Sequence, residues 1–456
     1  MKNLRIAVLT AWILGCLVGM AWLLSEVTPA RADEPDVATE AAVQTDKLGG
    51  AQLQTYDNFG YSLAVDGDYL IVGAPHTTGT VLPPGSAYIY RRDTSNPNRW
   101  NLLKKLVAAD GESGDLFGFA VDINGDTAVV GAPRATAAGF PDAGSVYVFA
   151  RNENGPDQWG QTAKLSADDV SRDDDRLGMS VAIDGNTIAA GAPFADSSVA
   201  IDTGAVYVFS YDSGSGWQQS AKLRMSPVYT QDLFGYSVAL EGDVLVGGAP
   251  WDNIGGILNT GSVQVFHRDS ITPTVWHRTT LLTATDRAKD DELGTSVALN
   301  GGIVVAGAPT DPDKREDPGA VYIFARTEGG DTWYQSSKLV APDSQADDLF
   351  GFSVASEGAV LLVGAQYADI GTQLNRGAAY TFERDQGGAN NWGFVDKLLA
   401  SDGIGADLFG FAVATNESQY FVGAPYANIG SQFNTGAAYV FVGNVQQVHL
   451  PVVSKQ

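Results

Sequence analysis

Seven times along this chain of 456 residues a Phe-Gly or Leu-Gly pair is followed, 13 residues after its glycine, by the glycine of Gly-Ala-Pro or a close variant. The pairs are Phe59-Gly60, Phe117-Gly118, Leu177-Gly178, Phe234-Gly235, Leu293-Gly294, Phe350-Gly351 and Phe409-Gly410; the matching glycines are Gly73, Gly131, Gly191, Gly248, Gly307, Gly364 and Gly423. A count that never varies leaves no room for insertions, so each segment reads as two strands in fixed register around a tight turn. That turn is Asp66-Gly67, Asn124-Gly125, Asp184-Gly185, Glu241-Gly242, Asn300-Gly301, Glu357-Gly358 and, in the last copy, Asn416-Glu417. Asn-Gly and Asp-Gly predict a type I′ hairpin in which both residues are central.

Ten or eleven residues after each Gly-Ala-Pro comes another glycine that opens an alternating strand, as in Gly144-Ser-Val-Tyr-Val-Phe149. A fourth strand carries a Trp six residues before a Leu: Trp100 and Leu106, Trp159 and Leu165, Trp217 and Leu223, Trp276 and Leu282, Trp333 and Leu339, Trp392 and Leu398. Even spacing predicts that both side chains share one face. Four antiparallel strands repeated seven times predict an all-β fold, a seven-bladed β-propeller. Glycine and alanine density assigns the Gly-Ala-Pro strand to the crowded innermost position.

The seventh copy stops at Phe441 with no Trp–Leu strand after it, whereas Lys47-Leu48 precedes Phe59 by 11 residues, the offset found in every other copy except Leu165 to Leu177, where it is 12. The missing strand therefore lies at the N-terminus, and residues 42–48 are expected to pair onto the last blade, removing an exposed sheet edge. The run Val448 to Val453 is its competitor. The resulting organisation is 1–32 leader, 33–41 flexible segment, 42–442 propeller and 443–456 tail.

The leader has a basic start (Lys2, Arg5), an apolar run from Ile6 to Leu24 and Ala30-Arg31-Ala32, the pattern of a secretory signal peptide. Retention of the run as a membrane anchor, or lipidation at Cys16, are the alternative fates. Cys16 is the only cysteine, so the mature chain has no disulfide, thiolate metal site or cysteine nucleophile. The formal charge of -25 makes a polyanion such as nucleic acid an unsuitable partner. The expected product is a secreted or cell-surface monomer with no membrane insertion of the mature chain.

These residues resemble FG-GAP repeat proteins, whose best-known members are the N-terminal propellers of integrin α subunits; the resemblance spans about residues 42–442. It implies a binding or adhesion module, and in integrins an aromatic cage on one rim grips the partner subunit. Several members hold calcium in a D-x-D-x-D-G-x-x-D loop between the two elements. Here the corresponding segments, VDGDYL and DINGDT, are too short to wrap a cation that needs six to eight oxygens, so that site is not carried over.

Strand order places the connections from strand four to strand one, and from strand two to strand three, on one rim, which is the expected binding face. Directly after Gly-Ala-Pro stand His76, Arg134, Phe194, Trp251, Thr310, Tyr367 and Tyr426. They form either a platform for a basic side chain or sugar ring, or local core under their own loops. An Asp precedes each Phe-Gly element by two residues, and its architectural reading is a cap on turn amides. The alternative is cation binding, Ca2+ above all, best placed at Asp168, Asp169, Asp173 and Asp175. No H-E-x-x-H or G-x-S-x-G pattern accompanies the four histidines, and the acidic loops follow the repeat rather than break it, so no enzyme is expected. The favoured function is docking of a protein or glycan; a cation-stabilised envelope scaffold is the runner-up, ahead of a polysaccharide-acting enzyme.

Overall fold

The computed structural model describes residues 42–443 apart from 50–52, 80–81, 154, 171, 310–317, 328–331 and 387–390. The leader, the 33–41 segment, Thr310 and the run Val448 to Val453 lie outside these. The described residues form seven four-stranded antiparallel sheets, six of them ordered as in the chain. Blade one is Ser62–Asp66, Tyr69–Ala74, Ser86–Arg92 and Trp100–Leu106. Blades two to six cover 120–165, 180–223, 238–282, 296–339 and 350–398 in the same way. First strands touch first strands from blade to blade, and Ala412–Thr415 of blade seven touches Ser62–Asp66 of blade one, so the ring is circular.

Innermost is thus the strand that follows Phe-Gly; the Gly-Ala-Pro strand is second from the axis, which corrects the expectation above. The physical reason is that a second strand is covered on both faces by neighbouring blades and so reads as one apolar run. Tyr69–Ala74 is buried at every residue, as are Thr187–Ala192 and Val360–Ala365. The core is a set of apolar layers, each shared by two adjacent blades.

Two local expectations are overturned. Asp66 pairs with Tyr69, so the central turn residues are Gly67 and Asp68, one position later than predicted. Positive φ falls on the first of them, as at Gly67 (54°), Gly125 (56°), Gly185 (53°) and Gly242 (56°), with no positive value at the Asp or Asn that follows. Glycine first and an ordinary residue second is the II′ arrangement, not I′; in blade five both Gly301 (55°) and Gly302 (81°) are positive, as I′ requires. The Trp–Leu pair of strand four does not share a face either. A β-bulge opposite Ile89/Tyr90 recurs in each outer strand, and one extra residue inverts the alternation. Trp100 consequently packs towards blade seven and Leu106 towards blade two.

The seventh sheet is completed by Val43–Leu48, paired antiparallel with Ala437–Val442 and carrying the same irregularity between Gln44 and Asp46. Leu48 is buried against Phe59 and Leu70, the position held elsewhere by the strand-four Leu.

The two glycine elements are one device. Within a blade the Phe-Gly amide donates to the Gly-Ala-Pro glycine carbonyl, as Gly60 to Gly73 (3.0 Å) and Gly118 to Gly131 (3.1 Å). Between blades the Gly-Ala-Pro glycine abuts the next Phe-Gly glycine: a Cβ on Gly73 would lie 2.1 Å from the Gly118 oxygen. Ser62, Ser180, Ser237, Ser296 and Ser353 reinforce this contact by donating to the next blade's Phe-Gly carbonyl at 2.7–2.9 Å. The serine hydrogen bonds were missed in the sequence, although the Ser two residues after Gly is visible there.

Candidate functional site

The rim formed by the four-to-one and two-to-three loops is built first from carboxylates that hold the loops themselves. Asp57, Asp115, Asp232, Asp348 and Asp407 each accept the amide three residues earlier at 2.7–2.8 Å, and Asp291 accepts from Ala288 in the same manner. The following residue adopts positive φ in all seven blades, as at Asn58 (56°) and Leu408 (55°). These are Asx-type caps.

A second carboxylate near the start of the loop is held by its own blade. Asp110, Asp169, Asp286, Asp343 and Asp402 pair with Lys164, Lys222, Lys338, Lys397 and Lys47 at 2.5–2.6 Å. Tyr207, Tyr380 and Tyr439 add hydrogen bonds to Asp169, Asp343 and Asp402, each 2.9 Å. Burial raises the Asp169 carboxyl's pKa, but the Lys222 and Tyr207 hydrogen bonds outweigh it and hold the group below its ordinary value.

Among the described residues of the Asp168–Asp175 loop the four carboxylates named as cation ligands are not gathered at one point. Asp169 is taken by Lys222 and Tyr207; Asp168 and Asp173 are exposed; burial lifts the Asp175 carboxyl to about 6. Arg172 pairs with Asp196 (2.5 Å) and Arg176 with Asp174 (2.7 Å), which brings positive charge into the loop. Among the described residues no group of three or more acidic, His or Cys side chains is close enough to hold a metal.

The residues after Gly-Ala-Pro lie along the same rim. The amides of His76, Arg134, Tyr367 and Tyr426 donate to the carbonyls of Asp57, Asp115, Asp348 and Asp407, at 3.1–3.4 Å. His76 is buried, with Nδ1 3.2 Å from the Asp57 carboxylate. Arg134, Phe194, Trp251, Tyr367 and Tyr426 are half-buried. The Arg176 guanidinium lies 4.7 Å from the Phe194 ring centre, and Trp251 Nε1 donates to Glu292 of the next blade at 3.2 Å.

A more continuous aromatic surface sits one position after Phe-Gly, outside the residues that follow Gly-Ala-Pro. Tyr61 stacks obliquely on Phe119 (5.0 Å between centres) and on Phe411 (4.6 Å), and Phe411 on Phe352 (5.3 Å). These rings come from blades six, seven, one and two. Each stands at the entry to its blade's first strand, the innermost one, so these contacts lie beside the axis, at the channel mouth on the candidate rim. All four are half-buried. The missed signal is the residue after Gly in Phe-Gly-Tyr, Phe-Gly-Phe and their copies. Half-buried aromatic faces on a strongly negative protein suit a cation or the apolar face of a sugar.

A family model described as FG-GAP repeat matches residues 43–90, 100–149, 159–209, 217–266, 276–324, 333–382 and 392–441. No curated protein matches the chain. Among solved structures it is similar to Saccharomyces cerevisiae Sqt1, with 10% identity, 89% of this chain and 100% of that chain covered, and a TM-score of 0.46. Among the described residues no helix is long and apolar enough to cross a membrane.

Proposed function

The chain belongs to the FG-GAP repeat family, and from that membership we propose that it is a non-catalytic binding module, secreted or held at the cell surface, which docks a protein or glycan partner at the channel mouth. The observation that carries this reading is the arc Phe352, Phe411, Tyr61 and Phe119, with successive ring centres 4.6–5.3 Å apart. The arc presents π-faces to a basic side chain or sugar ring, and the propeller holds it on rigid strand starts rather than on mobile loops. Phe194 of blade three and Trp251 of blade four stand further round the same rim as secondary contacts.

Peptide and glycan arrays probed with the wild-type chain and with the double variant Tyr61→Ala, Phe411→Ala test the reading. Binding to Arg- or Lys-containing peptides, or to glycans, is expected for wild type and is lost in the variant while the melting temperature stays within a few degrees. An identical array profile for both proteins overturns the proposal.

A further inference from the structure

Blade three uncovers its strand-four tryptophan. In five blades an Arg stands two residues after the last aromatic of strand three: Arg92, Arg151, Arg268, Arg326 and Arg384. The ladder sets Arg92, Arg268, Arg326 and Arg384 opposite Trp100, Trp276, Trp333 and Trp392. In three of these pairs the guanidinium lies 4.8–5.4 Å from the indole centre, and the tryptophans of the five blades are only 1–9% exposed. Blade three has Tyr211 at the same place, opposite Trp217. The two rings stand 5.4 Å apart at 56°. Tyr211 is 44% exposed, and Trp217 is half-buried against the layer shared by blades two and three.

Two further differences accompany the loss of Arg. In blades one, two and four the guanidinium is paired with an Asp of the blade's own first turn, Arg92 with Asp68, Arg151 with Asp126 and Arg268 with Asp243. Blade three has Asn186 at that turn position, exposed, its carbonyl accepting the Tyr211 amide at 2.9 Å. The connection from strand three to strand four is also shorter. Five residues separate Tyr211 from Trp217, against six or seven between Arg and Trp in the other blades. Asp212 fixes this short turn by accepting the amides of Gly214 and Ser215 at 2.9 and 3.1 Å. Where blades one, two and four have an ion pair beside a covered indole, blade three has an open aromatic corner. Its exposed neighbours Asn186, Ser213 and Gln218 are neutral amides and a hydroxyl.

We propose that this corner of blade three binds a neutral sugar, its apolar C–H face stacked on Trp217 and Tyr211 and its hydroxyls met by Asn186 and Gln218. The strand-three-to-four turn lies on the rim opposite the channel mouth, so the site is separate from the aromatic arc. An external cation is a poor substitute for the missing Arg, because the carboxylate that holds the guanidinium in blades one, two and four is here the uncharged Asn186. An acidic saccharide is disfavoured by the formal charge of -25. A protein partner needs more surface. Specific interfaces bury roughly 1,200–2,000 Å² in total, whereas the exposed neighbours of the two rings, Asp212, Ser213, Ser215 and Gln218, are all polar. Two rings with hydrogen-bonding groups at their margin match the size of a sugar ring.

Native electrophoresis of the full chain through gels containing hydroxyethyl cellulose, galactomannan, arabinoxylan, glycol chitin or soluble starch tests the site. Retardation by at least one of these neutral polysaccharides is expected for wild type. Trp217→Ala abolishes it. Tyr211→Arg, which rebuilds the pair of the other blades, weakens the apparent affinity about tenfold while the melting temperature stays within a few degrees of wild type. The channel-mouth double variant Tyr61→Ala, Phe411→Ala keeps the full retardation, so failure of one site is distinguishable from failure of the other. No retardation in any gel, equal retardation of wild type and Trp217→Ala, or a loss confined to the channel-mouth variant overturns the proposal. A protein bound through Trp217 without retardation in any gel overturns it as well.

Discussion

Gly423 in the last blade lies so close to Gly60 at the start of the first that a Cβ on Gly423 would stand 2.0 Å from the Gly60 carbonyl oxygen. The same contact joins Gly73 to Gly118, Gly191 to Gly235 and Gly364 to Gly410. The obstacle is backbone, so no rotamer change relieves it. Gly423→Ala is therefore expected to cost about 1–3 kcal/mol through overpacking, read as a lower denaturant midpoint at unchanged slope. Gly67→Ala meets no atom within 4 Å, although its φ of 54° remains strained for a side chain; it should cost less, about 1 kcal/mol. Equal losses at the two sites would show that the contact between blades is not what fixes the glycine.

Lys47 repeats, from the far end of the chain, what Lys164 or Lys397 does within a blade: it pairs with Asp402 at 2.6 Å beside Tyr439. Side-chain exposures of 30% and 53% keep that pair's worth to about 1 kcal/mol or less. Leu48, 3% exposed and packed on Phe59 and Leu70, matters more. Leu48→Ala is expected to lose about 2–4 kcal/mol and Lys47→Met under about 1 kcal/mol in equilibrium unfolding. A larger loss for Lys47→Met would place the latch in the ion pair rather than the apolar contact.

Stability should fall as pH rises from about 4 towards 7. Burial lifts the carboxyls of Asp175 and Asp348 to about 6 and that of Asp232 to about 7. Each then holds a proton in the folded chain at pH values where an unfolded carboxyl, near 3.9, has released it. The folded state binds more protons through that window, so raising pH favours unfolding. Asp343 and Asp402 act in the opposite sense: burial raises them, but hydrogen bonds from Lys397 and Tyr380, and from Lys47 and Tyr439, outweigh it and hold them low. Their contribution is present above the unfolded value and disappears as pH falls through the folded one. A melting-temperature maximum between about pH 4 and 5 is expected. The double variant Asp232→Asn, Asp348→Asn should flatten the decline towards pH 7; a wild-type curve that climbs steadily from 4.5 to 7.5 would contradict it.

The blade count and the location of the spare strand were legible because they rest on counts along the chain, 13 residues from glycine to glycine and 11 from Leu48 to Phe59. What escaped depends on one-residue offsets. The bulge opposite Ile89/Tyr90 leaves no mark in composition, yet it sends Trp100 and Leu106 to different neighbours. Gly67 takes the first central turn position rather than the second, because II′ demands glycine there and tolerates Asp68 after it. At the rim, the aromatic residues that the repeat pattern marks are Trp251 and Tyr426 after Gly-Ala-Pro, whereas the rings that meet are Tyr61, Phe119, Phe352 and Phe411. Only ring closure brings blades six and seven beside blades one and two. The acidic loops looked like cation ligands because their partners, Lys222 and Tyr207 for Asp169, lie 53 and 38 residues away.

Those partners lead to the last prediction. Asp169 already accepts from Lys222 at 2.5 Å and Tyr207 at 2.9 Å, and Arg172 and Arg176 pair with Asp196 and Asp174 nearby. A calcium ion requires six to eight oxygens, and here it would have to displace an ammonium and compete with two guanidinium groups. Adding millimolar calcium, or a chelator, is expected to leave the melting temperature unchanged. Asp169→Asn keeps an acceptor for Tyr207 but removes the charge opposite Lys222, and should lower stability by about 1 kcal/mol. If calcium instead raised the melting temperature of wild type and not of Asp169→Asn, the loop would be a cation site and the lysine only its occupant in the ion's absence.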